Sequence, residues 1–232
     1  MALAVNQLSG FGSGGGGGGA SVGDAPQTNL IHHWAHDVGV TESGGLVSQW
    51  DDQIGSANFV EATDKPTYSA TSGAAGLGGI TFDGVNDTMK IASLTTEAPF
   101  NIFMVFKHIT WVAGNMLVTA GGGWNIYQQT NTPELSLVYD YVRPTVAFTL
   151  NTFFLIDALY DGASSHIALN DGSPTVADPG GPYDGYNLVL GANSGQTGSF
   201  CNWVVSEIAI LEAAAVRADW HTYILARYPG LF

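Results

Sequence analysis

The sequence predicts an all-β sandwich of two antiparallel sheets, and three observations carry that prediction. Short apolar runs filled with Val, Ile, Phe and Tyr follow one another from Asn29 onward, separated by turn signals. Asp-Gly pairs begin at Asp83, Asp161, Asp171 and Asp184, where Asp tolerates and Gly freely adopts a left-handed backbone. Only 11% of the 232 residues are charged while 31 are Gly, a balance that suits sheets better than helices with their Lys-, Glu- and Arg-rich faces. Hydrophobic residues make up 45% and mean hydropathy is +0.13, so the chain has the means to bury a core and no need of metal or disulfide.

The elements follow in order. Strands are expected at Leu30–Ala35, Gly79–Phe82, Thr88–Ile91, Asn101–Ile109, Met116–Ala120 and Asn125–Gln128. They continue at Leu135–Tyr141, Phe153–Tyr160, Ser165–Leu169, Asn187–Leu190 and Trp203–Leu211. Strands at this spacing, with no alternation of strand and helix, describe a sandwich or jelly roll. The last element reads as a helix from Ala213: Val216, Trp220, Tyr223 and Ile224 fall on one stripe, and Pro229 with Gly230 stops it. It is expected to lie across one end or edge of the sandwich.

Composition changes sharply near residue 28, dividing an N-terminal arm at 1–27 from a body at 28–232. Gly10 to Gly19 read GFGSGGGGGG, too poor in side chains to join a core. Gly10 to Gly15 match GxGxxG by letter, but no strand–helix context surrounds them, so they are not read as a phosphate cradle. The first residues carry no basic group and only a short apolar run, unlike a secretion signal.

Six Lys and Arg face twenty Asp and Glu, for a net charge of -14. The cations Lys65, Lys90, Lys107, Arg143, Arg217 and Arg227 are scattered, which excludes nucleic-acid binding and adsorption to anionic membranes. No apolar run is long enough for a membrane helix. The single Cys201 has no disulfide partner within the chain and is expected as a small buried thiol.

Four segments, in order, resemble the concanavalin A-like lectin/glucanase superfamily, specifically the laminin-G-like domains of phage and bacterial proteins. They are LIHHWAHDVGV with VSQWDDQIGSANFVEATDKPTY, then GGITFDGVNDTMKI, FFLIDALYDGASSHIALNDGSP, and VVSEIAIL with the terminal ARYPGLF. Together they span residues 30–232. The resemblance implies a concanavalin A-like jelly-roll sandwich with a short C-terminal helix, a fold that hosts sugar binding, catalysis and scaffolding alike.

The residues that could carry chemistry each have a plainer reading. The glucanase branch supplies paired carboxylates from a Glu-x-Asp-x-Glu strand. Here Glu207 and Glu212 stand alone, and Asp51 and Asp52 point to opposite faces, so hydrolase activity is rejected and no enzyme is expected. His32, His33, His36 and Asp37 form the densest cluster of metal-ligand types. On a strand His32 and His36 share a face with Trp34 while His33 and Asp37 face away, a weak zinc pattern. No metal ligand and no cofactor is assigned. Calcium is left open, with Asp83, Asp87, Asp140 and Asp184 as nearby acids. Asn86-Asp87-Thr88 is a glycosylation sequon by letter only. Aromatic rings offer the best route to a ligand, since sugars stack on exposed Trp and Tyr; Trp111, Trp124, Tyr127, Tyr139 and Tyr141 lie in the middle strands, though most rings in such a core serve packing.

The expected function is that of a structural protein of a tailed-phage particle, a capsid decoration or tail-associated protein localised in the virion. Residues 1–22 would contact other virion proteins, with homo-oligomers formed in the particle. The alternative is a lectin-like adhesin that binds a host or environmental glycan.

Overall fold

In the computed structural model, which describes residues 20–121, 123–128, 130–138, 144–181, 185–212 and 217–232, the chain is almost wholly β. It opens with β1 (Leu30–Ala35), β2 (Val40–Ser43), β3 (Leu46–Trp50), β4 (Phe59–Val60), β5 (Thr67–Ser69) and β6 (Gly79–Asp83). There follow β7 (Met89–Thr96), β8 (Phe100–His108), β9 (Met116–Gly121), β10 (Asn125–Gln128), β11 (Glu134–Val138) and β12 (Thr145–Ala147). The chain closes with β13 (Phe154–Tyr160), β14 (His166–Leu169), β15 (Thr175–Val176), β16 (Gly185–Leu190), β17 (Asn202–Glu212) and the helix α1 (Arg217–Arg227).

Two antiparallel layers face each other. In the first, β17 pairs along its length with β8, and on its other side with β6 and then β1. The layer continues from β8 through β13 and β14 to β15. The second runs β4–β7–β16–β9–β10–β11–β12. β3 and β5 join the layers along one edge, because β3 pairs with β4 and β5, and β5 with β6.

The core lies between the layers. Phe100, Ile102, Met104 and Phe106 of β8 point into it by simple alternation, as do Trp203 and Val205 of β17. Trp124 bridges the layers, its ring 5.1 Å from Phe100 and 5.3 Å from Tyr160. A bulge between Val205 and Glu207 then shifts the phase of β17, so that Ile208 and Ile210 point inward and Glu207, Ala209 and Leu211 outward.

The helix does not lie across an end or edge, as the sequence suggested, but on the outer face of the first layer. β8 and β17 are apolar on both faces, and the outward Phe103, Val105, Ala209 and Leu211 need a cover. Trp220, Tyr223 and Ile224 of α1 supply it, with Trp220 stacked on Phe103 at 5.3 Å and 9°. An 11-residue helix is marginal alone in water; burying these side chains, at about 1.5–3 kcal/mol each, holds it in place. Ala20 and Ala25 also pack here, and Ala20 N–H donates to the Ala226 carbonyl.

Each expected strand has a counterpart, with ends shifted by a few residues; residues 139–141 of the expected seventh lie outside the described residues, as do the glycine run and Val216. The strands β2, β4, β5, β12 and β15 are too short or too polar to show in the sequence, and β3 was also missed. Of the Asp-Gly turns, Gly84 and Gly162 are left-handed at φ 76 and φ 51, and Gly162 also opens a short 3-10 turn.

Candidate functional site

The histidine cluster of β1 is dispersed by the fold. His32 stacks on Trp34 at 5.5 Å, and its Nδ1 donates to Asp52 at 2.6 Å. Asp52 also accepts from the backbone of His33, Ile54 and Ala57, so this carboxylate ties β1 to the loop after β3. Burial alone would raise Asp52, but the hydrogen bonds from His32 and the backbone outweigh it and hold it below the usual range. His36 does not share the face of Trp34, because β1 ends at Ala35; it turns to the helix side, where Nδ1 meets the Tyr228 hydroxyl at 3.1 Å.

Glu207, expected to stand alone, is the centre of a buried network. Its Oε1 accepts from His33 Nε2 and the Tyr223 hydroxyl at 2.7 Å each, and its Oε2 from Arg227 Nε and the Tyr228 hydroxyl at 2.6 Å each. Arg227 also pairs with Asp37 and donates to the Ala20 carbonyl. Burial would push Glu207 up, yet His33, Arg227 and Tyr228 pull it down to about 2. The network fastens α1 to the first layer, with every acceptor oxygen of Glu207 engaged.

The acids weighed for calcium serve turns. Asp83 Oδ1 accepts from the backbone of Val85 and Asn86, and Asp87 Oδ2 from the backbone of Asp83. Burial, with the neighbouring Asp83 and Asp64 charges, raises Asp87 to about 6 against the pull of the Asp83 N–H. Asp140 and Asp184 lie outside the described residues, among which no group of three or more His, Cys, Asp or Glu is placed to hold a metal. Cys201 is buried, its thiol pushed up by burial, beside Gln128 and His108.

Among the described aromatic candidates, Trp124 lies in the core and Trp111 packs against it. Trp124 is fully buried, with Nε1 donating to Thr96 Oγ1 at 2.8 Å. Trp111 is half-buried against His108 and Phe148, and Tyr127 is half-buried on β10. Tyr139 and Tyr141 lie outside the described residues.

An aromatic surface exists elsewhere. Tyr186 of β16 is 60% exposed on the outer face of the second layer, opposite Thr95 of β7 and Gly121 of β9. A Cβ on Gly121 would lie 2.9 Å from the Tyr186 ring, so the missing side chain is what lets the ring lie across the sheet. Sequence reading started this strand at Asn187, one residue too late to include the ring.

On the same layer, a groove of about 680 Å³ opens where β4 meets β3 and β7. Ser48, Gln49, Glu61, Thr63 and Gln196 line it with hydrogen-bonding groups, and Val60, 40% exposed, adds an apolar surface. Glu61 is held rigidly: it accepts from the Ala62 and Thr63 backbone, the Thr88 hydroxyl and Gln196 Nε2. These bonds keep it below the usual range although burial opposes them. Lys90, at the groove, and Thr95, beside Tyr186, are five residues apart on β7, about 16 Å at the usual strand rise. An extended ligand could therefore touch both.

No family model matches the chain, and no curated protein matches it in sequence. Solved structures share its fold. Trypanosoma rangeli sialidase in complex with sialic acid matches over 88% of this chain at 13% identity and a TM-score of 0.60, and the match spans 34% of the sialidase, about a third of its length. Domain 4 of AbnA, a GH43 extracellular arabinanase from Geobacillus stearothermophilus, in complex with arabinotriose, matches over 85% of this chain and 99% of that domain, at 11% identity and a TM-score of 0.61. The receptor binding domain of botulinum neurotoxin type G matches over 85% of this chain and 51% of its own length, at 12% identity and a TM-score of 0.54. At these identities the likeness is one of fold.

These matches correct the expectation that the chain is no enzyme. The same sandwich occurs within a sialidase and an arabinanase, so lacking one Glu-x-Asp-x-Glu strand does not set a chain of this fold apart from glycoside hydrolases. That criterion tests a single strand, whereas carboxylates can reach a groove from a loop, as Glu61 and Asp64 do here.

Proposed function

We propose that this chain binds glycans on the outer face of its second layer, along the groove and the Tyr186 ring. The observation that carries the reading is the exposed tyrosine laid over Gly121 on the layer that also bears a polar groove. A sugar presents an apolar C–H face for a ring to stack on and hydroxyls for fixed amide, hydroxyl and carboxylate groups to orient. Supporting it, a whole domain of the same fold is bound to arabinotriose in the arabinanase, and the sialidase match is a complex with sialic acid.

The test is a glycan array with the full chain, followed by calorimetry on the ligands it identifies. Tyr186→Ala should weaken binding about tenfold or more, as for a central aromatic anchor, without lowering Tm. Binding unchanged in that variant, or no saccharide bound at millimolar concentration, overturns the proposal.

The finer placement as a virion protein of a tailed phage rests on the four sequence segments and the glycine-rich arm alone, and the comparisons add nothing to it. A virion protein that grips a surface glycan would satisfy both readings. Deleting residues 1–19 should then abolish incorporation into particles, and normal incorporation would sink the anchoring role of residues 1–22.

A further inference from the structure

The chain carries six cations against twenty carboxylates, so where a cation has no protein partner is informative. Arg217 pairs with Asp157 at 2.6 Å, and Arg227 with Glu207 at 2.6 Å. Lys107 lies over the Phe153 ring at 4.7 Å, and Arg143 falls outside the described residues. Lys65 and Lys90 remain. Neither side chain forms an ion pair or hydrogen bond among the described residues, and both line the same groove.

The groove's own carboxylates do not answer them. Both oxygens of Glu61 are taken by the Ala62 and Thr63 amides, Thr88 and Gln196. Asp64 Oδ1 accepts from Asn86 Nδ2 at 2.7 Å, and the Asp64 carbonyl from Thr88 N–H. With these acids hydrogen-bonded to neutral donors, the half-buried Lys65 and the exposed Lys90 line a concave polar surface without an ion-pair partner among the described residues. In a protein of charge -14, a groove whose two lysines balance its two carboxylates, Glu61 and Asp64, stands out as locally neutral.

We propose that the groove takes an acidic saccharide, with its carboxylates held by Lys65 and Lys90. This rests on the glycan reading above and narrows its ligand class. Lysine suits the task, because a flexible point charge can follow a carboxylate on a sugar ring while Ser48, Gln49 and Gln196 address the hydroxyls. The overall negative charge repels such a ligand at long range. At physiological ionic strength that field is screened beyond about 8 Å, whereas contacts inside the groove persist.

Oligogalacturonates and their fully methyl-esterified counterparts, of equal length, test this by calorimetry with the full chain in about 0.15 M salt. The two ligands share a shape and differ in charge. The acid form should bind about tenfold more tightly than the ester. In Lys65→Gln/Lys90→Gln that preference should vanish; in Lys65→Arg/Lys90→Arg it should persist. Equal affinity for acid and ester, or a preference that survives the Gln variant, overturns this inference and leaves the glycan reading standing. Failure of every saccharide, neutral arabino-oligosaccharides included, overturns the glycan reading itself and the inference with it.

Discussion

In Glu207→Gln the side chain keeps its length and loses its charge at a site 1% exposed. The carboxylate accepts four hydrogen bonds, from His33, Tyr223, Arg227 and Tyr228. An amide retains one acceptor oxygen and turns an NH2 toward groups that were donating. Arg227, 3% exposed, is left with Asp37 as its ion-pair partner, and Asp37 is 45% exposed. Removing one member of a buried pair costs about 3–5 kcal/mol. For a domain of this size each kcal/mol shifts Tm by about 2–4 °C, so Tm should fall by about 6–20 °C. The pH dependence gives a second magnitude. Glu207 moves from an ordinary 4.5 to about 2 on folding. The unfolded state therefore binds the proton first, and the stabilisation, about 3 kcal/mol, is complete above pH 4.5 and lost as pH falls through 2. Urea unfolding followed by tryptophan fluorescence should show the gap between wild type and variant closing over that window. Adding Arg227→Gln should cost less than the sum of the two single changes, because the two residues share one network. A loss under about 1 kcal/mol at pH 7, against the 3–5 expected of a broken buried pair, would refute the reasoning.

Three further outcomes follow from the packing. Asp87 titrates at about 6 when folded, against 3.8, so it carries the opposite sign: stability falls as pH rises through that window. Asp87→Asn should gain about 1 kcal/mol at pH 7–8 after allowance for solvent screening, with no gain at pH 4, in thermal melts across pH. Trp124→Ala should cost about 3–5 kcal/mol by denaturant titration, because the ring bridges both layers, and any loss of sugar binding should accompany unfolding. Gly121→Val would bring its Cβ to 2.9 Å from both the ring and the carbonyl of Tyr186. It should cost about 1–3 kcal/mol and, by unseating the ring, weaken glycan binding as Tyr186→Ala does.

The elements with many apolar side chains were legible from sequence because alternation and turn chemistry are local. β8 and β17, the longest strands, read clearly, as did the helical stripe of Trp220, Tyr223 and Ile224. The strands beside the groove were not legible. β4 is only Phe59 and Val60, and pairing with β3 and β7 makes it a strand. The candidate site itself was missed for the same reason. Gln196 follows β16, some 135 positions from Glu61 in sequence, and only the layer brings its amide onto that carboxylate.

The sequence by itself determined a β-sandwich with a terminal helix and an acidic surface, since residue period, turn residues and charge count are properties of neighbours along the chain. The tertiary structure alone decided what the polar residues do. A bulge in β17 turned Glu207 from a lone acid into the anchor of α1, and the end of β1 sent His36 to the helix side. The fold buried Trp124 and left Tyr186 exposed over Gly121, and it brought the two unpaired lysines to one groove. Whether a ring or a charge faces core, partner or solvent depends on strands distant in sequence. A one-residue change of phase reverses that choice while leaving composition and local pattern unaltered.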